Sequence, residues 1–447
     1  MSSSAPFDPQ ALTAFARYYG FHYTRIELQA LVEDVLVDME RGLGGHSSSL
    51  PMIPAYIRPV SHVPGGKTVI ALDAGGTNLR AALIRFDEAG NAQAHSMEKR
   101  PMPGTYGRLS AAQFFDTLAE VVSPLLEQEP QVEGIGFTFS YPMEISTEAD
   151  GILLGFSKEV DAPEVIGKAI GQGLREALAR RKVPAPQGIV LLNDTVATLL
   201  AGYVSIPPQR GYAPGPVMGL ILGTGFNTAY PEQSIPKIGF DSAQAPQIVV
   251  CESGTFAHRY MGILDREYDA TTKNPGAYTL EKAAAGAYLG PLTFHILKQA
   301  IGDGLLRFRR AGEFRAWPSL ATKDLNAFMH DPFGGEGPLV SLFDADEKDA
   351  IATVLYLSSL VTERAARFAA AMVAAAVERM GGYHPLAPVR IAVEGTTYMR
   401  YRGMRSALES YLHTLLVAEK KRFYVLSPVE QASLFGAAVA ALSLSKA

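Results

Sequence analysis

Cysteine is nearly absent: one residue, Cys251, in a chain of 447. That excludes an internal disulfide and any zinc site built on several cysteines, and it fits a reducing compartment. Positive charge is not in excess either. Forty Lys and Arg against 45 Asp and Glu leave a net charge of -5, with no basic footprint for nucleic acid or an anionic membrane. Long apolar runs are also missing. The longest, Phe368 to Val377 and Leu434 to Leu442, are Ala-rich and too short to span a bilayer. The opening MSSSAPFDPQ has neither the basic nor the apolar region of a secretory signal, so a cytoplasmic protein is expected. No GxGxxG with its strand and acidic partner occurs, which leaves a nicotinamide enzyme unsupported. HExxH, GxSxG and close His clusters are absent as well. Gly65-Gly66-Lys67-Thr68 resembles the end of a Walker A loop, but the required first glycine is Ser61 and the motif precedes a strand.

What is present describes an ordinary globular chain: 47% apolar and 19% charged residues, in a length that exceeds one core. Two domains are expected. The stretch Val190 to Val196, VLLNDTV, organises the rest. Val190, Leu191 and Leu192 read as a strand buried on both faces, and Val196, Leu199, Leu200 and Tyr203 recur at helical spacing. Asp194 therefore sits at the carboxyl edge of a sheet, where open α/β folds bind ligands. The plain alternative is that Asp194 or Thr195 only caps the helix.

Along the chain, residues 8–40 read as helical and 41–66 as a linker or long loop rich in Gly, Ser and Pro. Strands follow at Thr68 to Leu72 and Ala81 to Phe86. A helix from Ser110 to Glu127 with Ser110 as its cap, a strand from Val132 to Phe139, and a periodic helix over 163–182 lead to the Val190 strand. The pattern then restarts. LDAGGTNLRAALI at 72–84 and LILGTGFNTAYP at 220–231 are both strand, Gly and Thr with Asn close behind, then strand. Two homologous halves facing each other are expected. After residue 280 the chain reads as mainly helical, with strands at Val389 to Val393 and Phe423 to Leu426 and a last helix from about Val429.

The loops between these strands carry the chemistry. Asp73-Ala74-Gly75-Gly76-Thr77-Asn78 can point backbone N–H groups inward around an anion, with Arg80 adding charge and Asp73 able to hold Mg²⁺ through water. A plain hairpin turn is its rival. Gly223-Thr224-Gly225-Phe226-Asn227 repeats the chemistry. GFTFSYP at 136–142 ends its strand in small hydroxyls, GFSK at 155–158 adds Ser157 and Lys158, and CESG at 251–254 sets Glu252 at a strand end. Glu281 stands at a helix start, where a capping carboxylate is the bland reading. Together they supply the amides, carboxylates and hydroxyls that a polyol site needs, with few cations.

The order of these motifs resembles the hexokinase family of the actin-like ATPase superfamily, from about residue 67 to the C-terminus. LDAGGTN with Arg80 is similar to the family's first phosphate loop, GFTFSYP to its sugar signature and ILGTGFN to its second phosphate loop. LLNDTVAT is nearly the family pattern, CESG and the Glu281 segment match two sugar-contacting glutamates, and VEGTTY resembles the adenosine loop. The resemblance implies an α/β fold of two actin-like ATPase (ribonuclease H-like) domains with a sugar and ATP cleft between them. The small domain would be 67–200 plus 430–447 and the large one 1–66 plus 201–429. It implies Asp194 as the base and Arg80 as a second catalytic group. Ser140, Ser157, Lys158, Asn193, Asn227, Glu252 and Glu281 would bind sugar. Asp73, Gly75, Gly76, Thr77, Asn78 and Thr224 would hold the phosphates of ATP, taken up with Mg²⁺, and Thr362, Gly395 and Thr396 would lie near the adenosine. There are departures: the family's Trp is missing from the GFSK segment, Ser157 replaces a Thr, and Ala287 stands where a phosphate-contacting Lys is frequent. The reading implied is an ATP-dependent hexokinase acting on the 6-hydroxyl of an aldohexose. Its rivals are a catalytically idle sugar sensor on the same fold and an ATP-driven conformational switch.

Overall fold

The computed structural model of the protein describes residues 6–60, 63–156, 160–205, 215–242, 245–381 and 384–443. Apolar strands that read as buried on both faces are so. Thr68–Ala74, Ile135–Phe139 and Ile189–Leu192 lie almost wholly out of solvent in a five-stranded sheet. Its order is 92–101, 78–86, 68–74, 135–139, 189–192, the first three antiparallel and the last two joining in parallel.

The second half repeats this order. Gln247–Val250, Phe226–Glu232, Val217–Leu222, Val389–Glu394 and Tyr424–Pro428 follow one another in a six-stranded sheet, again with three antiparallel strands and two parallel ones. The sixth strand is Ile53–Pro54, paired to the edge of Gln247–Val250. Residues 49–54 of the Gly-, Ser- and Pro-rich segment are therefore part of the fold. Asp38 accepts the Ser49 and Leu50 N–H groups at 3.0 and 3.1 Å, and the Lys237 ammonium donates to the Pro51 and Met52 carbonyls at 2.5 and 2.6 Å.

Two helices lie against each other between the sheets. Asp194–Ser205 follows the last strand of the first sheet but packs on strands of the second. Ala432–Ser443 follows the last strand of the second sheet and packs on strands of the first. They meet at Gly436, where a Cβ would overlap the Ala197 carbonyl, so only glycine permits the approach. Thr138 Oγ1 donates to Ser433 O at 2.8 Å and fixes the second helix to its sheet. The amphipathic helices Pro9–Tyr19 and Leu28–Leu43 bury their apolar faces against the long Lys348–Arg379 helix.

One helix is shorter than its periodicity predicts. The 163–182 segment is helical in the α sense only over Ile170–Arg180. Gly167 has φ 81° and donates to Leu153 O at 2.8 Å, while Leu153 N donates to Lys168 O at 3.1 Å. Pairing with the Gly151–Leu153 strand overrides helical spacing there, and the Asp150 carboxylate caps the helix from outside through Gly171 and Gln172. Ser110 caps Ala111–Gln128 as read, in a reciprocal capping box with Gln113. No helix among the described residues is long and apolar enough to cross a membrane.

Candidate active site

The VLLNDTV stretch folds as its pattern demands, a buried strand to Leu192 and a helix from Asp194. The cap is made by Asn193. Its Oδ1 accepts the Thr195 N–H at 2.7 Å. Thr195 Oγ1 donates to Asp194 Oδ1 at 3.2 Å, which orients the carboxylate from its own helix.

Asp194 lines a cleft of about 550 Å³ between the two sheets. Ser140, Asn193, Asn227, Glu252 and Glu281 line it too, so every described residue of the polyol inventory reaches one space. Ser157 and Lys158 lie outside the described residues. Asn227 is the hub of the wall opposite Asp194. Its Nδ2 donates to Glu252 Oε1 at 3.0 Å, and its Oδ1 accepts the N–H groups of Thr228 and Ser253 at 2.8 and 3.1 Å. The amide is thereby fixed as a donor toward the carboxylate. Burial pushes the Glu252 carboxyl up to about 7; the Asn227 hydrogen bond opposes the rise, and the charges of Asp194 and Glu281 add to it. Glu281 is also raised by burial, against the Phe226 N–H and the charge of Lys282.

Two side chains of this cleft stand on left-handed backbone. Glu252 has φ 55° and Tyr278 φ 55°, conformations that cost a non-glycine residue about 1–3 kcal/mol each. Such strain persists where surrounding contacts over-determine it. For Tyr278 the clamp is the buried Lys282–Asp269 ion pair, with Lys282 also donating to Asn274 O at 2.7 Å and Asp269 accepting Gly276 N at 2.7 Å.

The two glycine loops differ in surroundings. In the first, Gly75 N donates to Asn78 O at 3.0 Å, closing a tight turn between the strands. Neither Gly75 nor Gly76 has positive φ, so the left-handed backbone that two glycines permit is not used. Tyr141 donates to Gly75 O at 3.1 Å, and Ser140 N to Ala74 O at 3.1 Å, which ties this loop to the wall of the cleft. Thr77 Oγ1 accepts from Asn78 Nδ2 at 2.9 Å. Asp73 is buried and paired with Arg80, whose Nε donates to it at 3.0 Å. In the second loop, Glu281 Oε2 accepts the Phe226 N–H at 3.3 Å, and a Cβ on Gly225 would lie 3.0 Å from the same oxygen. Glycine is what lets the carboxylate approach the loop.

The second loop divides two spaces. Gly225 faces the cleft, while Thr224 faces a hollow of about 360 Å³ that Ala287, Lys323, Thr396 and Arg400 also line. Gly395 lies beside Gly223, 3.1 Å from a Cβ built there. Thr362 is not brought to this hollow. Its hydroxyl donates to Ser358 O at 3.0 Å, and it borders a separate hollow with Tyr356 and Arg402.

Several residues escaped the sequence reading. Glu394 ends its strand between the loops, accepting Thr198 Oγ1 at 3.2 Å. Burial raises its carboxyl, opposed by that bond, with the charges of Asp194 and Asp73 adding. Its signal was available, a carboxylate at a strand end next to Gly-Thr. Pro51, Ile53, Tyr278 and Lys323 gave none, because nothing in their spacing ties them to the motifs. Gly65 to Thr68 is a turn and strand start, with Lys67 paired to Glu133 at 2.6 Å, as its exclusion as a P-loop requires. Among the described residues no three His, Cys, Asp or Glu could hold a metal ion together. Asp73, a buried carboxylate beside the first glycine loop, is the kind of oxygen ligand that meets Mg²⁺ carried in on phosphates, an ion that needs only one or two carboxylates and keeps its waters.

Comparison with known proteins agrees with this geometry. Two hexokinase family models match residues 17–204 and 217–443. Hexokinase-2 of Candida albicans is 28% identical over 94% of this chain and 89% of its own length. Hexokinase-3 of Homo sapiens is 30% identical over 88% of this chain and 43% of its own length. Among solved structures, a hexokinase of Schistosoma mansoni complexed with glucose covers 98% of this chain and 100% of its own, with a TM-score of 0.74 at 24% identity. A second crystal structure of a hexokinase covers 97% and 100%, with a TM-score of 0.79 at 25% identity. With the second family model spanning half of its length and the fold shared from end to end, the chain belongs to the hexokinase family and is a phosphotransferase acting on sugar.

Proposed function

We propose that the chain transfers the γ-phosphoryl of ATP to the 6-hydroxyl of an aldohexose such as glucose, with Asp194 as general base, in the first step of glycolysis. The observation that carries this is the position of Asp194. It opens a helix already capped by Asn193 and faces a cleft whose opposite wall is Asn227, Glu252 and Glu281, beside the second glycine loop. The S. mansoni relative described as complexed with glucose supports the choice of acceptor.

In this reading the hexose lies between Ser140 and Asn193 on one wall and Asn227, Glu252 and Glu281 on the other, with Ser157 and Lys158 as further contacts. The 6-hydroxyl gives its proton to Asp194 as its oxygen bonds to the γ-phosphorus and the bond to the β,γ-bridging oxygen breaks. ADP leaves. Arg80, Gly75, Gly76, Thr77, Asn78 and Thr224 offset charge on the transferring group, and Thr396 with Gly395 borders the nucleoside. Mg²⁺ on the phosphates would be met by Asp73 and would supply further charge stabilisation. Residues 67–200 with 430–447 would rotate as a small domain against 1–66 with 201–429, excluding water that could otherwise accept the phosphoryl. The single cysteine, buried, suits a cytoplasmic setting.

The rival is a sugar sensor without catalysis. The intact pair of Asp73 and Arg80 beside a base at the helix start favours the enzyme, because a sensor needs none of the three. An ATP-coupled assay over glucose, mannose, fructose, galactose and N-acetylglucosamine tests the proposal. Formation of a hexose 6-phosphate is expected; saturable sugar binding with no phosphate transfer to any of the five would favour the sensor.

A further inference from the structure

Helix Asp194–Ser205 follows the first sheet, but its opening turn is seated on the second. A Cβ on Gly219, in the Val217–Leu222 strand, would come within 2.6 Å of Thr195 O and 2.8 Å of Leu199 N, so the helix lies there backbone on backbone. One turn further on, Thr198 Oγ1 lies 3.0 Å from Asp194 O and 3.2 Å from Glu394 Oε2, and its single proton serves these two acceptors. Glu394 ends the Val389–Glu394 strand and is paired with Ile221, which is paired in turn with Asn227. Glu394, Ile221 and Asn227 therefore form one row across three neighbouring strands, about 10 Å from end to end. Thr198 ties the helix of Asp194 to one end of that row, and the hub of the hexose wall is the other end. Glu394 makes no other hydrogen bond and no ion pair among the described residues. The charged groups that face it are Asp194, Asp73 and Arg80.

We propose that Glu394 is a positioning residue for phosphoryl transfer: as acceptor of the Thr198 hydroxyl it fixes Asp194 at a set distance from Asn227. The proposal rests on the reading of Asp194 as general base. Gly219 permits the close approach of the helix but leaves its rotation about its own axis free. A side-chain bond one turn along restrains that rotation. Reacting groups tolerate little freedom, and a misplacement of about 1 Å costs about 10²-fold in rate. Seated in this way, residues 194–205 travel with the second sheet, and the closing rotation turns at Asn193 instead of at residue 200.

The test is single-turnover transfer at saturating hexose and ATP, with hexose affinity measured separately by calorimetry. Glu394→Ala and Thr198→Val should each slow transfer by about 10- to 100-fold while hexose affinity stays within about threefold of wild type. The double variant should be no slower than the slower single one, because both remove the same bond. Glu394→Gln keeps an oxygen that accepts the hydroxyl and should restore transfer to within about threefold of wild type. Should Glu394→Ala fail to fold, Thr198→Ser against Thr198→Val makes the same comparison, with Ser restoring the rate. Wild-type transfer in Glu394→Ala or in Thr198→Val, single effects that multiply in the double variant, or a Gln variant as slow as Ala would each overturn the proposal. With Asp194→Asn slow in the same assay, the base reading would still stand. Wild-type transfer in Asp194→Asn would overturn both.

Discussion

Asn193 caps the helix that Asp194 begins: its Oδ1 accepts the Thr195 N–H at 2.7 Å. Two adjacent polar residues at one strand end thus divide two tasks, one holding the helix terminus and the other reaching the cleft. The plain alternative, that Asp194 or Thr195 only caps the helix, gives way to a cap made by Asn193.

Asn193→Ala should therefore cost about 0.5–2 kcal/mol of stability, the worth of such a cap, while Asn193→Asp should cost little, because Asp caps about as well. Both should weaken hexose binding. Chemical denaturation of the three proteins checks this. Equal destabilisation by Ala and Asp would show that the cap is not what Asn193 supplies.

Glu252 gives a pH signature. Burial raises its carboxyl from an ordinary value of 4.5 to about 7, so the folded state holds the proton more tightly than the unfolded chain. The sign follows: stability is fully present below about pH 4.5 and is lost as pH rises through 7. Glu252→Gln, which cannot ionise, should lack this loss. Urea denaturation from pH 5 to 8 should show wild type falling relative to the Gln variant as pH increases. A difference between the two that does not change with pH would contradict a raised carboxyl.

The Lys282–Asp269 pair holds Tyr278 and the helix start that carries Glu281. Lys282→Met leaves a buried carboxylate unpaired, a loss of about 3–5 kcal/mol. Asp269→Asn is the milder variant, because the amide can still accept the Gly276 N–H. Both should raise the hexose KM more than the ATP KM. Equal effects on the two substrates would assign the pair a general structural role.

Much of this was legible in the sequence because it is written in local pattern. Apolar runs ending in Gly-Thr or Asn-Asp gave the strands and loops of both halves, and Ser110 gave its cap. The repeat at 72–84 and 220–231 foretold two homologous halves, and the structure gives their sheets one strand order. Three features were not legible, each for a tertiary reason. The Ala92–Pro101 strand is a solvent-exposed edge with polar side chains along most of its length, so it carries no alternation. The start of the 163–182 helix yields to a bridge between Ile152 and Ala169 that no periodicity encodes. Ile53 joins the cleft only because its strand pairs with Val250, 197 residues later.

The central claim is that Asp194 accepts the proton of the 6-hydroxyl, and Asp194→Asn tests it most directly. The amide keeps the size and part of the hydrogen bonding of the carboxylate, so the hexose should still bind, with Asn227, Glu252 and Glu281 in place and affinity lowered by about tenfold at most. A positioned base is worth about 10²- to 10⁴-fold. Single-turnover phosphoryl transfer at saturating hexose and ATP should therefore slow by at least about 10²-fold. Transfer at close to the wild-type rate in the Asn variant would contradict the assignment of Asp194 as the base.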